Sequence, residues 1–299
     1  MVIPKIVHRM WLDKNVDDNI TYPAKYNKFT KSFDNFNPEF RMMFWNMNRI
    51  NNFFDTHPEI AKYKIVFQNM PYHIQKCDMA RYAILYIYGG VYIDLDFVFY
   101  KNLSPLLDRQ LLLVLEPSIY AENYHVNGIL SNALIGSVPR HPFWLEWMDF
   151  IIESMHNIKN GVVHVKRNKN ISNNHIYNVL YTTGPINFKI FLDQSRYSNV
   201  DLADTCDIMP IYFDGRNHFI TKECTYRNNG SQVIPANYYQ KINNYCDTKW
   251  SEGSGWGKET LEAYTQPKND NNLLGLFLLI LIIVLIACIF YVFGLINKN

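Results

Sequence analysis

The spacing of apolar and polar positions changes several times along the chain, and each change marks an element. "PKIVHRMWL" (4–12) is a short apolar run behind Pro4 and predicts a strand, and "EFRMMFWN" (39–46) predicts another. In "MPYHIQKCDMARYAILYIYGG" (70–90), Met79, Tyr82, Ala83, Tyr86 and Ile87 recur at helical spacing, so a helix starts at Pro71 and stops at Gly89–Gly90. "VYIDLDFVFY" (91–100) alternates and is rich in β-formers, which predicts a strand. "LLLVLE" (111–116) fits a buried strand, and "PFWLEWMDFIIESM" (142–155) an amphipathic helix with proline at its start. Strands alternating with helices predict an α/β fold.

The pattern ends near residue 270. Leu273–Ile296 gives 24 consecutive apolar or small residues, about 36 Å as a helix, which is enough to span a bilayer with some tilt. This predicts a soluble domain over 1–262, a polar linker over 263–272 and a transmembrane helix over 273–296. The opening "MVIPKIVHRMWLDKN" lacks a signal-peptide pattern, so the simplest topology is a single-pass C-terminal anchor with the domain in the cytosol. Four Asn-x-Ser/Thr sequons, at Asn19, Asn102, Asn170 and Asn229, speak weakly for the lumenal side in so Asn-rich a chain. "HVKRNKNISNN" (164–174) reads as a solvated basic loop, with contact to lipid headgroups as the functional alternative.

Composition narrows the classes. With 48% hydrophobic and 15% aromatic residues the chain folds rather than remaining disordered, and a net charge of +2 gives no reason to expect nucleic acid as a partner. The five cysteines form no CxxC pair and one, Cys288, lies in the apolar tail. They predict neither a disulfide framework nor a zinc site, and a reducing compartment is the default.

The helix–Gly-Gly–strand stretch is largely apolar yet carries Asp78, Arg81, Asp94 and Asp96. Unpaired buried charges cost several kcal/mol each. Asp78 and Arg81 are three apart on one helix and can pair. Asp94 and Asp96 are two apart, so in an extended strand both carboxylates point one way. Close carboxylates call for a cation, and oxygen-only ligands suit Mg²⁺ or Mn²⁺. The plain alternative is an exposed strand end beside a structural salt bridge.

The spacing Asp-x2-Arg-x7-Gly-Gly-x3-Asp-x-Asp in "DMARYAILYIYGGVYIDLD" resembles the signature of DXD-containing glycosyltransferases. The nearest type is that of α-1,6-mannosyltransferases, inositol-phosphoceramide mannosyltransferases and capsular sugar transferases (glycosyltransferase family 32). "IPKIVHRMWLD" (3–13) and "NALIGSVPRHPFW" (132–144) resemble two further elements of that family, so the likeness covers roughly 3–190. It implies a GT-A fold, a Rossmann-like mixed sheet flanked by helices that binds a nucleotide sugar. It also implies roles. Trp11 would stack on the base. Asp78 and Arg81 would hold ribose, diphosphate or donor sugar, and Asp94 would contact ribose and metal. Asp96 would ligate the metal directly. "EGSGW" (252–256) resembles the family's closing element, with Ser254 and Trp256 as lid residues and Gly253, Gly255 and Gly257 as its flexible points. The histidine that often precedes that element is missing, leaving Glu252 and Asp247 as candidates for a third metal contact. "TTGP" (182–185) resembles a turn near the sugar, or is an ordinary turn. His8 and His141 read as structural.

The function implied is a metal-dependent, retaining glycosyltransferase using Mn²⁺ or Mg²⁺. It would move a hexose from GDP-mannose or a UDP-hexose to a lipid-linked or other membrane-associated glycan acceptor, with membrane lipid as a further partner. The alternative from another class is a catalytically degenerate, membrane-anchored sugar-binding protein, which the intact Asp-x-Asp disfavours. A metal phosphohydrolase would need further ligands bracketing two metals, and none stand out.

Overall fold

Strand β3 (Gly90–Ile93) lies at the centre of a mixed sheet ordered β2-β1-β3-β6-β5, with β1 Ile6–Met10, β2 Arg41–Trp45, β5 Leu111–Leu112 and β6 Leu134–Ser137. β2 and β3 both run parallel to β1, whereas β6 is antiparallel to β3 and to β5. The computed structural model describes residues 2–12, 22–159, 175–213, 218–234 and 246–248. They fall within one compact unit, Met1–Gly255.

Both faces of the sheet are covered, which explains why β3 reads as a continuous apolar run. Val7, Val91 and Ile93 pack on one side with Phe97, Phe99 and Leu107. Met10 and Tyr92 pack on the other, in a core with Tyr82, Trp144 and Trp147. The helices of the first half are α1 (Asn27–Phe36), α2 (Met47–Thr56), α3 (Lys62–Asn69) and α4 (His73–Tyr88). Those of the second are α5 (Ser118–Tyr124), α6 (Phe143–Lys159), α7 (His175–Leu180), α8 (Pro185–Gln194) and α9 (Thr205–Ile208). α4 is the central one and is buried almost all round. Tyr82 stacks on Trp144 of α6 at 5.7 Å and lies 5.6 Å from Phe188 of α8.

α4 ends where the sequence places its end. Gly89 and Gly90 take φ of +62° and +85°, and a Cβ on Gly90 would meet the Ile6 carbonyl oxygen at 2.6 Å, so the helix can turn straight into β3 only through glycine. His141 does cap α6, accepting from the backbone N–H of Phe143 at 3.3 Å.

Three expectations are corrected or unaddressed. The single strand over 91–100 is two, β3 and β4 (Phe97–Phe99), with Asp94, Leu95 and Asp96 in the turn between them. β4 leaves the main sheet to pair antiparallel with β9 (Cys246–Thr248), and the carboxylates therefore do not share one strand face. The cysteine reading is overturned by a Cys206–Cys224 disulfide with a Cα–Cα distance of 5.4 Å, its partners 18 residues apart. It staples α9 to the 3₁₀ helix Lys222–Asn228, beside the hairpin of β7 (Ile211–Phe213) and β8 (His218–Ile220). Spacing alone cannot reveal two cysteines brought together by tertiary structure. Among the described residues no helix is long and apolar enough to cross a membrane, and the 273–296 segment lies outside them, as do 164–174 and 252–257.

Candidate active site

The site forms at the end of the sheet where β3 stops. On α4, Asp78 and Arg81 share a face as their spacing requires. Arg81 Nη2 lies 3.2 Å from Asp78 Oδ1, with both side chains almost fully buried. Arg81 also bridges to the turn, with Nη1 3.4 Å from Asp94 Oδ1 and donating to the Asn132 carbonyl at 2.6 Å. Its guanidinium sits 4.5 Å from the centre of the Tyr92 ring, whose hydroxyl donates to Asp94 Oδ1 at 2.8 Å. Burial works to lower the Arg81 pKa, but Tyr92, Asp94 and Asp78 outweigh it and hold the group charged, well above its ordinary range.

Asp78 is fully engaged. Asn132 Nδ2 donates to Oδ1 at 3.0 Å and Thr183 Oγ1 to Oδ2 at 2.7 Å. Asn132 Nδ2 also reaches the Tyr82 hydroxyl at 3.0 Å, and that hydroxyl donates to the Thr183 carbonyl at 2.8 Å. Burial pushes the Asp78 carboxyl upward, with Arg81, Thr183 and Asn132 pulling against it. The Thr-Thr-Gly-Pro turn is therefore part of the site. Thr182 is fixed in turn by Gln75, one turn before Asp78 on α4, at 2.8 Å.

The two aspartates of the turn differ in setting. The Asp94 side chain is 34% exposed and opens outward from Arg81. Asp96 is buried at 9% and faces, electrostatically, Arg9 and Tyr26. Arg9 is wholly buried on β1 and donates to the Asp94 carbonyl at 3.1 Å. Trp11 stands beside this turn. Its ring is 5.7 Å from Tyr26, and the two pack with Phe29 and Leu95, the residue between the aspartates. An aromatic wall thus borders the carboxylates, where a flat ring can stack.

Among the described residues no three His, Cys, Asp or Glu side chains converge as a ready-made metal cage. What is present is an oxygen-only pair, Asp94 and Asp96. Asp94 and Asp96 would be the protein's ligands to a divalent ion that is otherwise held by water and phosphate oxygens, and an oxygen-only donor set fits Mg²⁺ or Mn²⁺. Of the other proposed site residues, Ser254, Trp256 and Glu252 lie outside the described residues, and so does the Asp247 side chain. The Asp247 backbone pairs with Val98, two residues past Asp96.

Comparison with known proteins places this geometry. Residues 23–113, which include Asp78, Arg81, Asp94 and Asp96, match the family model of the glycosyltransferase sugar-binding region containing the DXD motif. Over these residues the chain is similar to the DXD-containing glycosyltransferases. An uncharacterized glycosyltransferase of Acanthamoeba polyphaga mimivirus is 28% identical over 242 residues, covering 79% of this chain and 83% of that protein. Inositol phosphoceramide mannosyltransferase 1 of Schizosaccharomyces pombe is 31% identical over 159 residues, 52% of this chain and 43% of that one. A mannosyl phosphorylinositol ceramide synthase of Saccharomyces cerevisiae is 28% identical over 199 residues, 66% of this chain and 45% of that one. The chain spans less than half the length of the two fungal proteins. For a DXD glycosyltransferase, the mixed sheet with helices on both faces fits the GT-A arrangement.

Asn132, Thr183, Tyr92 and Arg9 were not foreseen as site residues. Asn132 opens the "NALIG" segment and Thr183 lies within "TTGP", so both stood inside stretches that drew notice. Arg9 and Tyr92 left a weaker signal, a charge or a hydroxyl in an otherwise apolar strand.

Proposed function

We propose that this chain is a metal-dependent, retaining hexosyltransferase. It moves a sugar, mannose first, from a nucleotide sugar to a lipid-linked or other membrane-associated glycan. The observation that supports this best is the Arg81 guanidinium held between Asp78 and Asp94 at a sheet end, with a second turn carboxylate, Asp96, and Trp11 alongside. A purely structural ion pair needs one carboxylate, yet here three surround the site. The excess negative charge suits a cation, and the fixed Arg81 charge suits a diphosphate. Mannose and a glycolipid acceptor rest on the fungal relatives, whose names state those substrates.

The chemistry follows from where charge develops. When the nucleoside diphosphate departs, negative charge gathers on its terminal phosphate. A divalent ion on Asp96 and Asp94 would neutralise part of it as a Lewis acid. Arg81 supplies a further fixed charge that needs no reorganisation, because Asp78 and the Asn132 carbonyl already hold it in place. Trp11 offers its face to the base, and Asn132 and Thr183 keep Asp78 oriented.

The deciding experiment measures ligand-induced thermal shifts of the full chain in detergent with Mn²⁺. The panel is GDP-mannose, UDP-glucose, UDP-galactose and UDP-N-acetylglucosamine, tested on wild type and Asp96→Ala. A donor at about 100 times its Kd adds roughly 2.7 kcal/mol. A shift for one donor that needs Mn²⁺ and vanishes in Asp96→Ala supports the proposal and names the sugar. A folded wild type that responds to none of them overturns it.

A further inference from the structure

Gln75, Asp78 and Tyr82 follow one another on α4 at helical spacing, and all three grip the same turn. Gln75 Nε2 donates to Thr182 Oγ1 at 2.8 Å, and Asp78 Oδ2 accepts from Thr183 Oγ1 at 2.7 Å. The Tyr82 hydroxyl donates to the Thr183 carbonyl at 2.8 Å. Asp78 and Tyr82 also share a second segment, because Asn132 Nδ2 donates to Asp78 Oδ1 and to the Tyr82 oxygen, each at 3.0 Å.

These contacts close a ring. From Asp78 Oδ1 it passes to Asn132 Nδ2, then to the Tyr82 hydroxyl and the Thr183 carbonyl, and returns through Thr183 Oγ1 to Asp78 Oδ2. Its directions are fixed by the groups involved. A carbonyl only accepts, so the phenol hydrogen goes to Thr183 and the phenol oxygen accepts from Asn132. The two amide hydrogens of Asn132 are thereby divided between Tyr82 and Asp78. The reverse amide orientation would set oxygen against the carboxylate. All four residues are buried, Tyr82 and Thr183 completely.

A buried tyrosine hydroxyl needs partners wherever it sits. Tyr63, in the same core, finds them on a neighbouring helix, bonding Asp149 of α6 at 2.9 Å. The partners of Tyr82 come from two segments 50 and 101 residues away, and both are residues that hold Asp78. Asp78 and the Asn132 carbonyl in turn anchor Arg81, at 3.2 and 2.6 Å. The hydroxyl therefore sets the relation between the two segments on which the guanidinium depends.

We propose that Tyr82 is a positioning residue of the donor site: its hydroxyl closes the ring that locks Asn132 and Thr183 around Asp78, and so fixes Arg81 where a diphosphate binds. Wholly buried, it acts through Asp78 and Arg81 and not by touching a ligand. The proposal rests on the nucleotide-sugar function above.

The test is calorimetric titration of the full chain in detergent with Mn²⁺, with GDP and UDP as probes. Wild type is compared with Tyr82→Phe and with the control Tyr63→Phe; each variant loses one hydroxyl from the same core and keeps its aromatic ring. Tyr82→Phe leaves the Thr183 carbonyl and one Asn132 N–H without partners, so the hydrogen-bonded ring opens. The expected result is a loss of about five- to tenfold in affinity for whichever diphosphate binds wild type, with Tyr63→Phe within about twofold of wild type. A merely structural hydroxyl would lower thermal midpoints without changing the affinity of the folded protein, so unchanged affinity in Tyr82→Phe overturns the proposal. Equal losses in both variants overturn it too, because they mark a general loosening of the core. Should Tyr82→Phe fail to fold, Thr183→Val opens the same ring beside Asp78. A loss there that Tyr63→Phe does not share supports the proposal, and unchanged affinity shows that the ring positions nothing and overturns it. If wild type binds neither GDP nor UDP, the nucleotide-sugar function itself fails, an outcome distinct from a variant that matches a binding wild type.

Discussion

Arg9 on β1 donates from Nη1 to the backbone carbonyl of Asp94, 3.1 Å away across 85 residues of sequence. The guanidinium is wholly buried with the Phe33 ring 5.5 Å from its centre, and its Nη2 has no hydrogen-bond partner among the described residues. Burial draws its pKa down to about 10, while Asp34, Tyr22, Tyr92 and Asp96 oppose the fall, so it stays charged at neutral pH. An incompletely bonded buried cation is costly. What it secures is the carbonyl of the turn that carries both candidate metal ligands. Arg9→Met is expected to cost about 1.5–3 kcal/mol through the lost charged hydrogen bond. It should also weaken Mn²⁺ binding by about tenfold, as read by electron paramagnetic resonance titration, with Arg9→Lys in between. Unchanged Mn²⁺ affinity in a folded Arg9→Met would show that Arg9 does not position the turn.

The Asp78–Arg81 pair makes a separate prediction. Removing one partner leaves an uncompensated charge in a site that excludes water, so Arg81→Met should lose about 3–5 kcal/mol in urea denaturation. The double variant Asp78→Asn/Arg81→Met removes both charges. It should cost clearly less than the sum of the two single changes, by about 1–3 kcal/mol. Strictly additive costs would mean that the 3.2 Å contact carries no coupling.

How much of this site could be read from the chain depends on sequence distance. Asp78 and Arg81 lie one helical turn apart, so the helical period alone brings them together. Gly89–Gly90 marks the sharp turn by residue type. Asn132 and Thr183 reach Asp78 from 54 and 105 residues away, which no local pattern encodes. The reading of 91–100 as one strand failed for a related reason. Both strands are rich in β-formers, and what separates them is where β4 finds its partner, β9, nearly 150 residues on.

His8 supplies a pH dependence. Its Nε2 lies 2.8 Å from the Gly89 carbonyl and its Nδ1 accepts from Trp45 Nε1 at 3.2 Å, so the ring is neutral with its proton on Nε2. Burial lowers its pKa to about 4, with the Arg41 charge adding to this and the Gly89 bond opposing it. Between the unfolded value of 6.5 and 4 the unfolded chain binds more protons than the folded one. Stability is therefore full above 6.5 and falls as pH drops toward 4, by about 3 kcal/mol from this group. Urea midpoints from about pH 7.5 to about pH 4.5 should fall more steeply in wild type than in His8→Asn, although the variant starts less stable. Parallel slopes would assign the acid loss to other groups.

The Cys206–Cys224 disulfide closes an 18-residue separation inside a small apolar cluster with Ile211 and Ile220. Arg227 ties the same lobe together, donating to the Cys206 carbonyl at 2.9 Å and to Asp207 at 2.7 Å. Closing a loop of that size restricts the unfolded chain and is worth about 3 kcal/mol. Cys77 does not compete for the bond, because burial pushes its thiol up to about 12 and keeps it from acting as a thiolate. Dithiothreitol, or the paired change Cys206→Ser/Cys224→Ser, should therefore lower the thermal midpoint of the full chain. Cys206 and Cys224 should escape iodoacetamide in denaturant until reductant is added, as peptide mass spectrometry would show. Because disulfides persist where glutathione and thioredoxin do not reduce them, this pairing argues for an oxidising environment in place of the reducing one that cysteine spacing suggested. Alkylation of both cysteines in unreduced protein purified under oxidising conditions would restore the original reading.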